Sequence, residues 1–368
     1  MKKLMFIALA LLSCAFAQAE DVEIDGVRYV IRFYDQSAAI DRTIADKVKS
    51  ETLVIPEKVT YEDEEFTVTE IFDKGLPLGS NQVCTKIVLP NTITKIGTRA
   101  FSGSQNVKEI VLPNSLKTIS EGMCSLCSSL ESVVIPESVT EIYGSAFMNC
   151  DKLASINIPQ GVTYIGYNAF FNTAIKELTL PESMTSIAQG ALRGMGKLRK
   201  ITLPNSITEI EGSTFGGCQR LRSVVLPSTL KTIPARIFIG CAIDTIVIPE
   251  GVRYIDRNAF ESCRGLKHIV FPSTLVAIGP EAFKDCPAIE TLELPAGLQQ
   301  IASWALAGCV GLKTIINHAA TPQKIDGLQV FYNDEEQVPA ITLMVPKGCA
   351  DTYKKAVWWG GMQIVEME

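Results

Sequence analysis

Apolar and polar positions repeat along this chain every 22–23 residues, and proline marks the period, recurring at 90, 113, 136, 159, 181, 204, 227, 249, 272 and 295. Each unit reads approximately L-x-x-I-x-L-P-x-x-V-T-x-I-G-x-x-A-F-x-x-C, as in LESVVIPESVTEIYGSAFMNC from Leu130 to Cys150. The residues three and one before proline, such as Val133 and Ile135, Ile201 and Leu203, or Ile269 and Phe271, are apolar and alternate with their neighbours. That alternation predicts a short strand with one buried face. Proline ends the strand because it has no N–H to continue a ladder. The next apolar pair, Val139 and Ile142 here, is expected to turn the chain back inward. Ala-Phe pairs such as Ala146-Phe147, Ala169-Phe170, Ala259-Phe260 and Ala282-Phe283 then supply one small and one large core residue per coil. A unit this small cannot bury its apolar face alone, so like must stack on like. The expected fold is a solenoid, mostly β with short turns, of about ten to eleven coils of 22–23 residues. This replaces the two or three globular domains that 368 residues would otherwise suggest.

The cysteines keep the same register. Seven of the eleven (Cys127, Cys150, Cys218, Cys241, Cys263, Cys286, Cys309) stand fourteen residues after a repeat proline, and Ser104, Thr173 and Met195 fill that place in other units. Tolerance of Ser and Thr fits a small buried residue at a tight bend, a role free cysteine often takes. Coils about 4.8 Å apart also lie within disulfide range, so bridges between some neighbours stay open. Cys124 and Cys127 resemble a C-x-x-C redox motif, but Cys124 fills the phenylalanine slot and Cys127 the cysteine slot, which reads as core.

The repeat resembles the BspA-like, or Treponema-type, class of bacterial leucine-rich repeats, and the flanks are similar as well. Gly26 to Ile31 leads to Leu53-Val54-Ile55-Pro56, an acidic hairpin-like insert from Tyr61 to Phe66, and Val68 to Ile71 rejoining the repeat. Pro56 and Pro90 are 34 apart, so this coil carries eleven extra residues. Leu343 to Gly348, Tyr353 and Trp358-Trp359 are similar to the closing segment of such proteins. The organisation expected is a signal peptide over 1–19, an N-terminal cap and irregular first coil over 20–80, the repeat array over 81–316, and a C-terminal cap over 317–368. Caps are needed because terminal coils would expose core and an unpaired strand edge. The array is expected to end where His318 replaces proline. The last segment should hold a strand, a short helix near 350–357 and a final strand, with the tryptophans in the cap core. The resemblance implies a protein exported or displayed by bacteria, some relatives being adhesins for host matrix or other cells.

The first residues fit export. Lys2 and Lys3 precede an apolar run from Leu4 to Leu12, and Ala15, Ala17 and Ala19 precede Glu20. This is the order of a secretory signal, too short to span a bilayer, with cleavage expected after Ala19, or alternatively after Ala17. Leu11-Leu12-Ser13-Cys14 also resembles a lipobox, which would make Cys14 a lipidation site and the chain's membrane attachment, since no sortase-type anchor is seen. The destination is the cell surface or medium, or alternatively the periplasm.

Charge and chemistry narrow the function. The chain has 34 Lys+Arg against 40 Asp+Glu, a net −6, and removal of Lys2 and Lys3 leaves −8. That balance argues against nucleic acid as a partner. Two histidines leave little material for a metal site, and no P-loop, dinucleotide fingerprint, H-E-x-x-H or G-x-S-x-G occurs. No enzymatic activity, cofactor or metal is expected, and His268 and His318 read as surface residues. The acidic run Glu62 to Glu65 lacks the ligand spacing of a calcium loop. Positions two before proline should face outward, and six of these ten are valine: 88, 111, 134, 225, 247 and 270. Such a stripe is either simple β-propensity or a contact face. The leading candidate site is Val225, Val247 and Val270 with His268; Tyr164, Tyr167 and Tyr254 form a second candidate on another face. The expected function is a monomeric, non-enzymatic interaction or adhesion module for a protein or glycoprotein partner. The alternative is a structural scaffold of the envelope.

Overall fold

The computed structural model describes residues 19–327, 330–331 and 340–368. The chain divides into two compact units, the first ending at Val162 and the second running from Thr163. Both are stretches of one mostly-β solenoid.

In the first unit the chain opens with two antiparallel strands, Ala19–Ile24 and Val27–Arg32, joined through Asp25 and Gly26. Both linking residues have positive φ, the conformation a two-residue hairpin turn needs. Strand Ser37–Thr43 adds antiparallel, then Glu64–Ile71 adds parallel. The acidic insert is the turn of a hairpin between Lys58–Tyr61 and Glu64–Ile71, with Glu62 and Asp63 at positive φ. Strand Glu64–Ile71 also pairs with Lys95–Ile96 of the first regular coil. The cap therefore hands the array a strand already in register.

The strands before each proline form the first ladder, all parallel: Thr52–Val54, Lys86–Val88, Glu109–Val111, Ser132–Val133 and Ser155–Ile156. Their inward residues Ile87, Ile110 and Val133 are buried. Asn157 interrupts the pattern. Its carboxamide accepts from the Ile135 N–H and donates to the Ile135 carbonyl, both at 2.9 Å, in place of a backbone partner.

The second unit carries the same ladder through Lys200–Thr202 with Ser223–Val225, Thr245–Val247 with His268–Val270, and Thr291–Leu294 with Thr314–Asn317. His318 has an N–H and donates it to the Leu294 carbonyl at 3.1 Å, so the strand Thr314–Asn317 runs across the 316/317 boundary. Thr342–Val345 and Gln363–Glu366, the two strands expected in the C-terminal segment, add to the same sheet in parallel. The helix between them spans only Ala350–Lys354. Trp359 and Tyr353 are fully buried in this cap, Trp359 Nε1 donating to Gln323 O and Tyr353 OH to Ala319 O. Trp358 is half-buried.

Two further ladders correct the picture of a simple inward turn. The T-x-I segment is itself a two-residue parallel strand, as in Thr118–Ile119 with Glu141–Ile142, or Thr232–Ile233 with Tyr254–Ile255 and Ala277–Ile278. On the third side the Ala-Phe turns hydrogen-bond directly. Ser213 N–H donates to Ala235 O at 3.0 Å, Phe215 to Ile237 at 2.9 Å and Gly217 to Ile239 at 2.7 Å. This geometry needs left-handed residues nine and thirteen positions after proline: Ser213 and Gly217, Arg236 and Gly240, Asn258 and Ser262. Stacking these turns aligns the phenylalanines, and Phe215, Phe238, Phe260 and Phe283 lie face to face at 5.1–5.5 Å.

The cysteine slot has a use beyond packing. Cys241 Sγ donates to Phe215 O at 3.0 Å, and Cys263, Cys286 and Cys309 donate likewise to the phenylalanine carbonyl of an earlier coil at 3.1 Å. In the first unit Cys127 and Cys150 do the same with Phe101 O and Cys124 O. A thiol is large enough to fill the bend and weakly polar enough to give a buried carbonyl a second donor beside the backbone N–H it already accepts, as Phe215 O does from Cys218.

Candidate partner-binding face

Strand alternation decides what the solenoid shows to solvent. With Ile246 buried between them, Thr245 and Val247 must point outward, and the same parity exposes His268 and Val270 on the next strand. Val225, Val247 and Val270 are 53%, 58% and 53% exposed. Val247 pairs directly with Val270, and Ser223–Val225 packs beside Thr245–Val247. These three side chains form a continuous apolar strip, with His268 on the same face two residues before Val270.

The strip ends in a hollow of about 450 Å³ lined by Val270, Phe271, Pro295, Ala296, Glu250 and His318 among others. Phe271 occupies an inward position but is only half-buried, because it packs edge-on against Phe283, 5.8 Å between ring centres, and its far side lines the hollow. Ile269 is also half-buried. Charge collects at the rim. His318 Nε2 lies 2.7 Å from Glu293 Oε1, and Glu250 accepts from the Ser273 N–H and hydroxyl. His318 therefore belongs to this face, a placement its position in the terminal loop did not reveal.

The chain matches the model of the BspA type leucine-rich repeat region in six copies, over residues 80–198 and 185–313. The chain belongs to this family. Among solved structures, this BspA-type chain is similar to a leucine-rich repeat protein from Bacteroides ovatus, with 22% identity, a TM-score of 0.64, and coverage of 95% of this chain and 100% of that one. A leucine-rich cell surface protein from Faecalibacterium prausnitzii gives 23% identity, a TM-score of 0.62 and coverage of 96% and 95%. The pneumococcal vaccine antigen PcpA gives 18%, 0.55, and 95% and 99%. At these identities the likeness is one of fold. No curated protein matches the chain.

The other candidates in this BspA-type chain sort differently. Tyr164 is half-buried on strand Tyr164–Ile165, Tyr167 is exposed in the following turn, and Tyr254 is exposed on strand Tyr254–Ile255. The strands Ser186–Ile187, Glu209–Ile210 and Thr232–Ile233 come between Tyr164 and Tyr254, so the three tyrosines do not form one cluster. Cys14 lies outside the described residues. Cys124 and Cys127 are fully buried. Their mutual hydrogen bond and burial hold the Cys124 thiol well above its ordinary range, and burial pushes Cys263 and Cys309 up to about 12. Reactive cysteines are shifted the other way.

Among the described residues no three His, Cys, Asp or Glu side chains converge to hold a metal, and no helix is long and apolar enough to cross a membrane. One ionic cluster stands apart from the face. Glu70 accepts from Arg32 at 2.8 Å and Lys95 at 2.6 Å, with Arg32 over the Phe72 ring. Burial alone would raise Glu70, but the hydrogen bonds from Lys95 and Arg32 outweigh it and hold the carboxyl low. Its neighbours Ile71 and Ile96 are buried, so the cluster pins the cap to the first coil.

Proposed function

We propose that this chain is an exported, non-enzymatic protein-interaction module whose outward first-ladder face binds a protein or glycoprotein partner. The observation that carries the reading is the exposed strip Val225, Val247 and Val270, ending in the hollow at Phe271 and His318. Solenoids commonly bind along such extended faces, and an exposed apolar strip beside a concavity supports a recognition surface. Residues 1–19 direct export and are removed, or Cys14 is lipidated and tethers the chain. Mass spectrometry of the mature N-terminus separates these: an N-terminal Glu20 or Gln18 excludes the tether.

The binding reading is tested by a photo-crosslinking side chain at Val247, with Glu209 on the second ladder as control. Intact producing cells and the surfaces they adhere to are irradiated and the adducts identified. A discrete protein adduct from position 247, lost in Val225→Ser/Val270→Ser and missing at 209, supports the face. Equal labelling at both positions, or none at 247, sinks it and leaves the envelope-scaffold role.

A further inference from the structure

The surface beside the valine strip is strongly and locally basic. In the two consecutive coils that end at Pro204 and Pro227, the bends leading into the strands carry Lys197, Arg199, Arg220 and Arg222, and the first strand residue of one is Lys200, all exposed. None of the five makes an ion pair among the described residues, and what sets them apart is their concentration on two adjacent coils, since Lys86, Lys95, Lys284 and Lys313 are each matched to a glutamate while scattered lysines such as Lys108, Lys117 and Lys231 are unpaired singly. Arg222 N–H bonds to Arg199 O, which places these like charges on adjacent coils. Two coils further on, Arg264 and Lys267 extend the edge to His268, and Asp244 is the one acidic residue between. On a chain of net charge −6 this concentration is the reverse of the average. Stacked like charges destabilise one another at this spacing, so the fold gains nothing by them.

The chemistry of a partner follows from what lies next to the cations. Lys200 shares its strand face with Thr202, and Arg222 lies three residues before Val225. On the other side of Lys200 and Thr202, towards the preceding coil, a hollow of about 440 Å³ is lined by Leu178, Leu180 and Pro204 with Glu177 and Glu182, so the cationic edge is bounded by acid on that side and runs from Lys200 towards Arg222. A sulfated glycan would satisfy the guanidinium groups but leave the valines against solvent. A single-stranded nucleic acid would want aromatic platforms, and these bends carry none. An acidic protein segment uses both halves of the surface. We propose, on the basis of the binding face above, that the partner presents a protein segment in which carboxylates alternate with apolar side chains. Its carboxylates meet the cationic edge from Lys197 to Arg222, and its apolar side chains meet the strip from Val225 to Val270. Overall like charge does not prevent this, since charges beyond about 8 Å are screened at physiological salt while the local pairs are not. The cations set the rate of encounter and the register, and the valines set residence.

The test uses the full mature chain and defined probes: a synthetic peptide alternating glutamate with leucine, polyglutamate of equal charge, heparin, and vesicles containing phosphatidylserine. The alternating peptide is expected to bind more tightly than the other three. Arg199→Glu/Arg222→Glu should weaken it by at least about tenfold and flatten its salt dependence, with Arg199→Gln/Arg222→Gln between. These side chains are exposed, so an unchanged denaturation midpoint verifies the fold. Tighter binding of heparin, vesicles or polyglutamate, or an unchanged affinity in both arginine variants, overturns the inference. The two readings fail separately. If the Val247 crosslink to the natural partner needs the valines but survives arginine reversal, only the acidic partner is wrong; if neither set matters, the face itself is wrong.

Discussion

The segments Leu130 to Pro136 and Leu221 to Pro227 read LESVVIP and LRSVVLP, and comparing them separates what the solenoid needs from what its surface says. Both bury the first leucine, the first valine and the residue before proline, and both expose the second valine, Val134 at 72% and Val225 at 53%. They differ outwardly at one residue, Glu131 against Arg222, and the contrast continues around them. In the first unit Lys86 is paired with Glu109, and Asn157 turns its side chain into the ladder. In the second unit Arg199, Lys200 and Arg222 stand unmatched. An apolar strip is thus a general product of the frame, and the charges at its edge make it particular.

The frame itself is the place to strike hardest. Phe238 lies between Phe215 and Phe260, so Phe238→Ala should cost about 3–5 kcal/mol in chemical denaturation. Cys124 fills the equivalent slot in the first unit, where Cys124→Ala should cost only about 1 kcal/mol. Equal costs would mean that a buried ring in this slot stabilises the coil no more than a buried thiol does.

Next come the thiols. Cys241→Val keeps the volume but removes one of the two donors to Phe215 O, which still accepts from the Cys218 N–H at 3.1 Å, a loss of about 0.5–1.5 kcal/mol; Cys241→Ser restores a donor and should lie closer to wild type. Burial of these thiols also sets an alkaline limit. Burial raises Cys263 and Cys309 to about 12 in the folded chain, so their protonated form is favoured by folding. That contribution is complete below the ordinary thiol range near 8.5 and is lost as pH rises towards about 12. Denaturation midpoints should fall between about pH 9 and 12, less so in Cys263→Ser/Cys309→Ser. A flat profile would show that these thiols are already ionised.

A smaller effect addresses the surface. Glu131→Arg with Ser129→Arg copies the second unit's charges beside Val134, and should strengthen binding of the alternating glutamate-leucine peptide by up to about tenfold, or about 1.4 kcal/mol. No gain would show that charge beside a valine strip is insufficient. The smallest change concerns backbone. Leu126 is left-handed and half-exposed at the position where the second unit has Gly217 and Gly240. Leu126→Gly should stabilise by about 0.5 kcal/mol in a thermal melt, and Gly240→Leu should cost about 1.

Much of this was legible in the proline period. Val133, Ile135, Ile201 and Leu203 bury as their alternation requires, and the valines two before proline lie on the outer surface. The second ladder was hidden because a strand of two residues, such as Glu141–Ile142, is too short to alternate. The turn ladder was hidden because it consists of backbone bonds, although Gly, Asn or Ser nine and thirteen residues after many prolines was a readable sign of left-handed turns. Cysteine declared its burial but not its carbonyl partner, which lies 25 or 26 residues earlier. The basic edge escaped because a net charge averages over the chain what stacking concentrates on two coils.

The two short coils show where this architecture gives way without harm. From Cys218 to Pro227 is nine residues, but from Cys241 to Pro249, and from Thr173 to Pro181, it is eight. The missing residue is always taken from the bend before the strand, yet Ile243 and Ile175 still reach the core as completely as Leu221 does. That bend is the edge that carries the arginines. A loop that shortens without disturbing the layers beneath can also be lengthened or exchanged, so neighbouring bends offer adjacent graft sites where new recognition sequences can be installed side by side on an unaltered spine.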